Sequence, residues 1–142
     1  ICVHVLIPFV ECILLVHGYI FSVWNFILLK IYFSVFFMKN GEEVPRNQYT
    51  KWFDYDKIKG TLSLRHRQPG DYLTLPSGGR KTLKSWMIDE KIPRQEREEI
   101  WLLAEEKHIL WIVGHRISAY YKITEQTKTI LEVEFNGGKS SG

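Results

Sequence analysis

Cysteine is scarce in this sequence, with only Cys2 and Cys12 among 142 residues. This excludes a disulfide-dense secreted scaffold, because such scaffolds replace a small core with several cysteine pairs. Neither cysteine belongs to a Cys-x-x-Cys pair or lies near a Cys/His cluster, so the standard zinc-binding patterns are absent as well. We therefore expect no metal site in this chain.

Catalytic motifs are also missing. Segment 77–82 is glycine-rich and ends in Lys-Thr, but Arg80 stands where a Walker A phosphate loop needs glycine. Lys81 and Thr82 stand where the SGGxDS loop of adenylating enzymes carries Asp and Ser. The histidines have no Ser, Cys or paired carboxylate at motif spacing, so no hydrolytic triad is indicated. The sequence thus gives no support for a freestanding enzyme.

Charge is nearly absent from the first 38 residues, which contain only Glu11 and Lys30. Residues 12–29 form a run of 18 without a formal charge, close to the ~20 that a helix needs to cross a bilayer. The same Phe-, Ile- and Val-rich composition, without a consistent period, also results from T-rich DNA translated in a non-coding frame. Segment 1–40 therefore stays open between a membrane-like segment and a mistranslated one. The chain begins at Ile1 rather than Met, and we expect it to be a fragment.

The remainder has the composition of an ordinary domain. Residues 61–67 alternate, which predicts a half-buried strand with Arg65 and Arg67 together on its exposed face. Pro69 and Gly70 predict a turn into a second strand at 71–75, so that the two strands would form a hairpin.

Two short helices are predicted between strands. Leu83, Trp86 and Met87 have the i, i+3, i+4 spacing of one buried stripe, which predicts a helix within 81–90. Pro93 fits the start of a second helix over 94–99.

Short apolar runs at 100–104 and 108–113 predict two buried strands joined by a charged turn, and residues 129–135 alternate as a last strand. This order of elements predicts an α+β fold, with an antiparallel, sandwich-like β core and two short helices, rather than a βαβ repeat. The Gly/Ser-rich residues 136–142 are expected to form a flexible tail.

Basic residues concentrate within 65–84. This stretch holds five cations and one acid, Asp71, so its local charge of +4 exceeds the +3 of the whole chain. Guanidinium and ammonium groups are what a phosphate backbone requires. The pattern itself leaves two interpretations open, a nucleic-acid-binding surface and a merely solvated charged face.

Four motifs reduce this ambiguity. They are R-x-R-x-x-G-D from Arg65, K-x-L-K from Lys81, K-I-P-x-x-x-R ending at Arg97, and W-x-x-G-x-R-I-S around Arg116. In this order, over residues 44–135, they closely resemble the C-terminal domain of tRNA(Ile)-lysidine synthetase. The resemblance implies a bacterial, cytoplasmic ligase of tRNA modification, which uses ATP with Mg to attach lysine to the wobble cytidine of a minor isoleucine tRNA.

The catalytic domain of that family, with its SGGxDS loop, has no counterpart in this sequence, so we expect no cofactor here and no activity from this chain alone. The resemblance implies that the C-terminal domain grips the tRNA on its acceptor-stem side. The tRNA contacts that it implies are Arg65, Arg67, Lys81, Lys84, Arg97 and Arg116. Gly70 would be the turn glycine and Asp71 its orienting partner.

The expected partner is therefore an isoleucine tRNA, with a homodimer left open. The alternative function is a membrane-anchored interaction module with a basic cytoplasmic domain, which requires that segment 1–40 be genuine and span the bilayer.

Overall fold

The computed structural model describes residues 12–16, 19–26, 29–38 and 43–137. These residues fall into two compact units. One unit comprises residues 57–122, and the other comprises the described residues before 57 and after 122.

The second unit contains a five-stranded antiparallel sheet in the order β1-β2-β3-β11-β4. Its strands are β1 (Cys12–Val16), β2 (Tyr19–Phe26), β3 (Leu29–Phe37), β4 (Thr50–Asp54) and β11 (Thr129–Gly137). The long strand β11 lies between β3 and β4 and places Val133 opposite both Phe33 and Lys51. The last strand predicted from the alternation is thereby confirmed.

Strands β1 to β3 occupy much of the apolar segment, for which the sequence showed no regular period. Among the residues that the structure describes, no helix is both long and apolar enough to cross a membrane. Of the predicted tail, Asn136 and Gly137 belong to β11, and residues 138–142 lie outside the described residues, as do residues 1–11.

The unit of residues 57–122 is built on a six-stranded sheet in the order β5-β8-β9-β6-β7, with β10 also paired to β9. Its strands are β5 (Leu62–Arg65), β6 (Tyr72–Thr74), β7 (Arg80–Thr82), β8 (Leu102–Glu105), β9 (His108–Ile112) and β10 (Arg116–Ile117). The β6–β9 pair is parallel, and the other pairs are antiparallel. Two helices follow β7, namely α1 (Leu83–Asp89) and α2 (Arg94–Arg97).

The hairpin predicted between 61–67 and 71–75 is wrong. Strand β5 pairs with β8, whereas β6 pairs with β7 and β9. Alternation of apolar and polar residues identifies a strand and its buried face, but the partner depends on where the other strands lie. The intervening turn carries the chain from one side of the β8–β9 hairpin to the other.

Helix α1 covers one face of this sheet. Thr82 caps it, since its Oγ1 accepts a hydrogen bond from the Ser85 backbone N–H at 3.2 Å. Leu83, Trp86 and Met87 are buried in one cluster with Leu73 of β6, as the predicted stripe requires. Each such side chain contributes about 1.5–3 kcal/mol when it leaves water. The α+β class, with a mainly antiparallel β core and two short helices, is confirmed.

Candidate nucleic-acid interface

The turn after β5 is held by an ion pair between its two ends. The Asp71 carboxylate accepts hydrogen bonds from Nη1 and Nη2 of Arg65, each at 2.8 Å, and from the Gln68 backbone N–H at 2.8 Å. Arg65 Nη2 also donates to the Glu106 carbonyl oxygen at 2.7 Å. The Arg65 side chain is only 15% exposed and that of Asp71 only 1%.

This geometry differs from the exposed position that the strand pattern predicted for Arg65. Its guanidinium group is directed into the turn because a buried carboxylate and two backbone carbonyl groups accept hydrogen bonds from it. Gly70 lies in the same turn at φ +89, a left-handed conformation that costs other L-residues roughly 1–2 kcal/mol. The turn thus combines a fixed charge pair with a backbone position suited to glycine.

A groove lies between this turn, the start of α1 and helix α2. It consists of two adjoining hollows of about 580 and 650 Å³, which share Arg67, Lys84 and Glu98 as lining residues. We call it the basic groove. The cations that line it are Arg67, Lys84, Arg94 and Arg97.

The carboxylates of the basic groove are already paired with arginine. Asp71 is bound by Arg65, as described above. Glu98 accepts a hydrogen bond from Arg67 Nε at 2.7 Å, and Arg67 Nη2 contacts the same oxygen. This hydrogen bond from Arg67 is the main cause that lowers the pKa of Glu98 and raises the pKa of Arg67, so the pair stays charged around neutral pH.

The other cations face solvent more freely. Lys84 and Arg94 are exposed, and the described part of the chain provides neither with an ion-pair partner. Arg97 is half-buried and donates from Nε to the Ile92 carbonyl oxygen at 2.8 Å, which fixes the direction of its guanidinium group. The groove therefore presents positive charge that its own carboxylates do not neutralise.

The structure brings three of the six predicted contacts together, namely Arg67, Lys84 and Arg97. Arg65 lies beside the groove, in the turn. Lys81 forms an ion pair with Asp89, and Arg116 lies on β10; neither lines the groove.

Sequence reasoning missed Arg94. It occupies a variable position of the K-I-P-x-x-x-R motif, so the motif gave it no weight. The signal was its i, i+3 spacing to Arg97 in the helix after Pro93, which places both side chains on one side of α2.

Metal-ligating side chains do not cluster in the part of the chain that the structure describes: no group of three or more His, Cys, Asp or Glu residues is arranged to hold an ion. What the groove offers chemically is a set of cations, some held by hydrogen bonds and some exposed to solvent, for an anionic partner.

Comparison with known proteins agrees with the four motifs. The family model of the TilS substrate C-terminal domain matches residues 62–134, which include the whole basic groove and the turn beside it. The chain belongs to the TilS substrate C-terminal domain family. The resemblance drawn from the motifs is thereby confirmed.

Two relatives carry the name tRNA(Ile)-lysidine synthase. The chain is 43% identical over 95 residues to the tRNA(Ile)-lysidine synthase of Caldanaerobacter subterraneus subsp. tengcongensis, covering 66% of this chain and 20% of that protein. It is 40% identical over 97 residues to the tRNA(Ile)-lysidine synthase of Clostridium tetani, covering 68% of this chain and 21% of that protein. The chain thus spans about a fifth of the length of these relatives.

A solved structure supports the same fold. The crystal structure of a TilS C-terminal domain superposes with a TM-score of 0.60 at 24% identity, covering 78% of this chain and 86% of the solved chain.

Proposed function

We propose that residues 44–135 act as the tRNA-binding C-terminal domain of a tRNA(Ile)-lysidine synthase. In such an enzyme ATP drives the attachment of lysine to the wobble cytidine of an isoleucine tRNA in the cytoplasm. That chemistry would belong to a catalytic domain outside these 142 residues, where ATP and Mg would bind. Residues 44–135 would hold the tRNA on its acceptor-stem side.

The observation that carries this proposal is the surplus of cations in the basic groove. Arg67, Lys84, Arg94 and Arg97 line it, while its two carboxylates are occupied by arginine. An RNA backbone carries one negative charge per nucleotide, and cations that neutralise it release condensed counterions. A surface with unneutralised positive charge therefore gains free energy on binding RNA.

The six residues implied by the resemblance then divide by role. Arg67, Lys84 and Arg97, joined by Arg94, would contact phosphates directly. Arg65 would act as a positioning residue, because its hydrogen bonds to Asp71 hold the turn from which Arg67 extends. Gly70 would allow that turn, and Lys81 and Arg116 would add contacts outside the groove.

A pair of double variants tests the proposal. We expect Lys84→Ala with Arg94→Ala to weaken binding of the full chain to an isoleucine tRNA transcript about ten-fold, since two charge-assisted phosphate contacts are lost. Fluorescence anisotropy at fixed salt measures the affinity. Both side chains are exposed, so a thermal melt should show an unchanged fold.

The matched control is Lys122→Ala with Lys128→Ala, which removes the same charge from two exposed positions outside the groove. We expect less than a two-fold change. Equal losses of affinity in the two double variants would show that the groove contributes only through the net charge of the chain. No loss of affinity in either variant would overturn the proposal.

A further inference from the structure

The unit of residues 57–122 contains a further hollow, separate from the basic groove and on the sheet face opposite α1. Tyr72 and Thr74 flank Leu73 in β6, and successive strand residues point to opposite faces. Because Leu73 packs in the cluster beneath α1, Tyr72 and Thr74 point to the other side. This hollow of about 630 Å³ is lined chiefly by Lys57, Tyr72, Arg80, Lys107, His108 and Tyr120, and we call it the aromatic pocket.

His108 lies at the centre of the aromatic pocket. Its ring stacks on Tyr72 with centroids 4.6 Å apart at 21°, and its centroid lies 5.3 Å from that of Tyr120 and 4.8 Å from that of Tyr121. Its Nε2 lies 3.0 Å from Thr74 Oγ1, which fixes the plane of the ring. Burial, and secondarily Arg80, lower the pKa of His108, so the ring is neutral at pH 7.

The three tyrosines differ in how much ring surface they offer. Tyr72 belongs to β6, whose neighbours in the sheet are β7 and β9. The Arg80 guanidinium lies 4.6 Å from the centroid of its ring, and His108 of β9 stacks on the ring. Tyr121 is buried. Tyr120 is 46% exposed and rests edge-to-face against Tyr121 at 4.9 Å. Tyr120 is therefore held by its neighbours while almost half of its surface stays exposed to solvent.

Positive charge surrounds this ring. Lys57 Nζ lies 5.8 Å from the Tyr120 centroid, and Lys59, Arg80 and Lys107 also line the pocket. Of the two lining carboxylates, Glu105 accepts hydrogen bonds from the Lys59 backbone N–H at 3.2 and 3.3 Å, and Glu106 is exposed. Four cations against two carboxylates leave a positive surplus next to an exposed ring.

We propose that the aromatic pocket binds one unpaired nucleotide of an RNA strand, with the base stacked on Tyr120 and its phosphate at Arg80 and the neighbouring lysines. Bases inside a helix are stacked on both faces, whereas an unpaired base can stack on an aromatic side chain while cations hold its phosphate. This inference goes beyond the proposed function, because the basic groove offers contacts to phosphates and none to bases.

The test uses the full chain and two RNA probes. The first is a short single strand with one 2-aminopurine, whose fluorescence is quenched on stacking. The second is a blunt duplex of the same length. We expect quenching by the wild type, and binding of the single strand weakened at least five-fold by Tyr120→Ala, as the loss of one stacked base predicts.

The matched variant Tyr120→Phe keeps the ring, so it should retain quenching and bind the single strand within two-fold of wild type. Arg80→Gln should weaken binding of the single strand and lower the slope of log K against log salt by about 0.7, the contribution of one phosphate in a single strand. Affinity for the duplex should be unchanged by Tyr120→Ala. The proposal is overturned if the wild type fails to quench, if Tyr120→Ala binds the single strand as wild type does, or if Tyr120→Phe loses as much as Tyr120→Ala.

The groove variants separate this inference from the proposed function. Lys84→Ala with Arg94→Ala should weaken the duplex while leaving the quenching intact. Loss of both signals together would contradict a second site. Quenching without any duplex binding would support the aromatic pocket and contradict the role of the basic groove.

Discussion

Arg65 and Arg67 are two residues apart, yet they belong to two regions that use charge differently. Arg65 pairs with Asp71, whose side chain is 1% exposed, whereas Arg67 pairs with Glu98, whose side chain is 61% exposed. A buried carboxylate is costly without a cation to offset the water that it has lost, so the first pair fixes the turn. A solvated carboxylate does not, so the second pair leaves the Arg67 charge available to a partner. Burial of the carboxylate, rather than the residue type of the cation, separates the pair that holds the turn from the pair whose arginine we propose to contact RNA.

Removing the buried carboxylate should have the largest effect. Asp71→Ala leaves the Arg65 guanidinium without its partner and should destabilise the fold by about 3–5 kcal/mol, as expected for one broken half of a buried pair. Urea unfolding of the full chain measures the change. The exposed Asp56 provides the control, since Asp56→Ala should change stability by less than about 0.5 kcal/mol. Equal effects of the two variants would remove the distinction between the two regions.

A smaller loss should follow from the backbone of the same turn. Gly70 has φ +89, and the nearest atom to an added Cβ is Lys107 Cδ at 4.0 Å, so Gly70→Ala introduces strain without a clash. We expect a destabilisation of about 1–2 kcal/mol. The matched control is Gly79→Ala, at a glycine without positive φ and with 3.8 Å to the nearest atom, Ser77 Oγ. The urea midpoints of the two variants give the comparison, and if Gly79→Ala costs as much as Gly70→Ala, the positive φ of Gly70 is not the source of the loss.

Removing the carboxylate of the exposed Arg67–Glu98 pair should have the smallest effect. It should raise affinity for tRNA, whereas removing cations from the basic groove should lower it. Glu98→Gln removes a negative charge from the basic groove, so affinity for tRNA should rise by about two-fold while the melting temperature stays unchanged. Arg67 holds the pKa of Glu98 below its usual value, so the carboxylate stays charged from pH 6 to 8 and the gain should be constant over that range. A clear drop in melting temperature would show that this pair is structural, like the Arg65 pair.

Local patterns in the sequence were enough to predict several elements. The spacing of Leu83, Trp86 and Met87 identified α1, and the apolar run after Lys107 identified β9. Each signal lies within one segment, where the periodicity of burial is readable. The fold class followed from the order of such segments.

Features that join distant segments were not predictable in this way. The turn after β5 looked like a hairpin because Gly70 signals a turn, while the true partner of β5 lies about forty residues further along, in β8. The alternation of the strand predicted an exposed Arg65 because its guanidinium group meets the Asp71 carboxylate only once the turn between them has formed. The aromatic pocket depends on the parallel pairing of Tyr72 with His108, which no local pattern encodes.

The central claim is that the basic groove binds tRNA through phosphates, and its most direct test is the salt dependence of binding. The full chain and its Lys84→Ala, Arg94→Ala double variant would be titrated with an isoleucine tRNA transcript at several salt concentrations. We predict a linear fall of log K with log salt for the wild type, and a slope lower by about 2 for the variant, roughly one for each cation removed. Equal slopes for the two proteins, or wild-type binding that does not respond to salt, would contradict this claim.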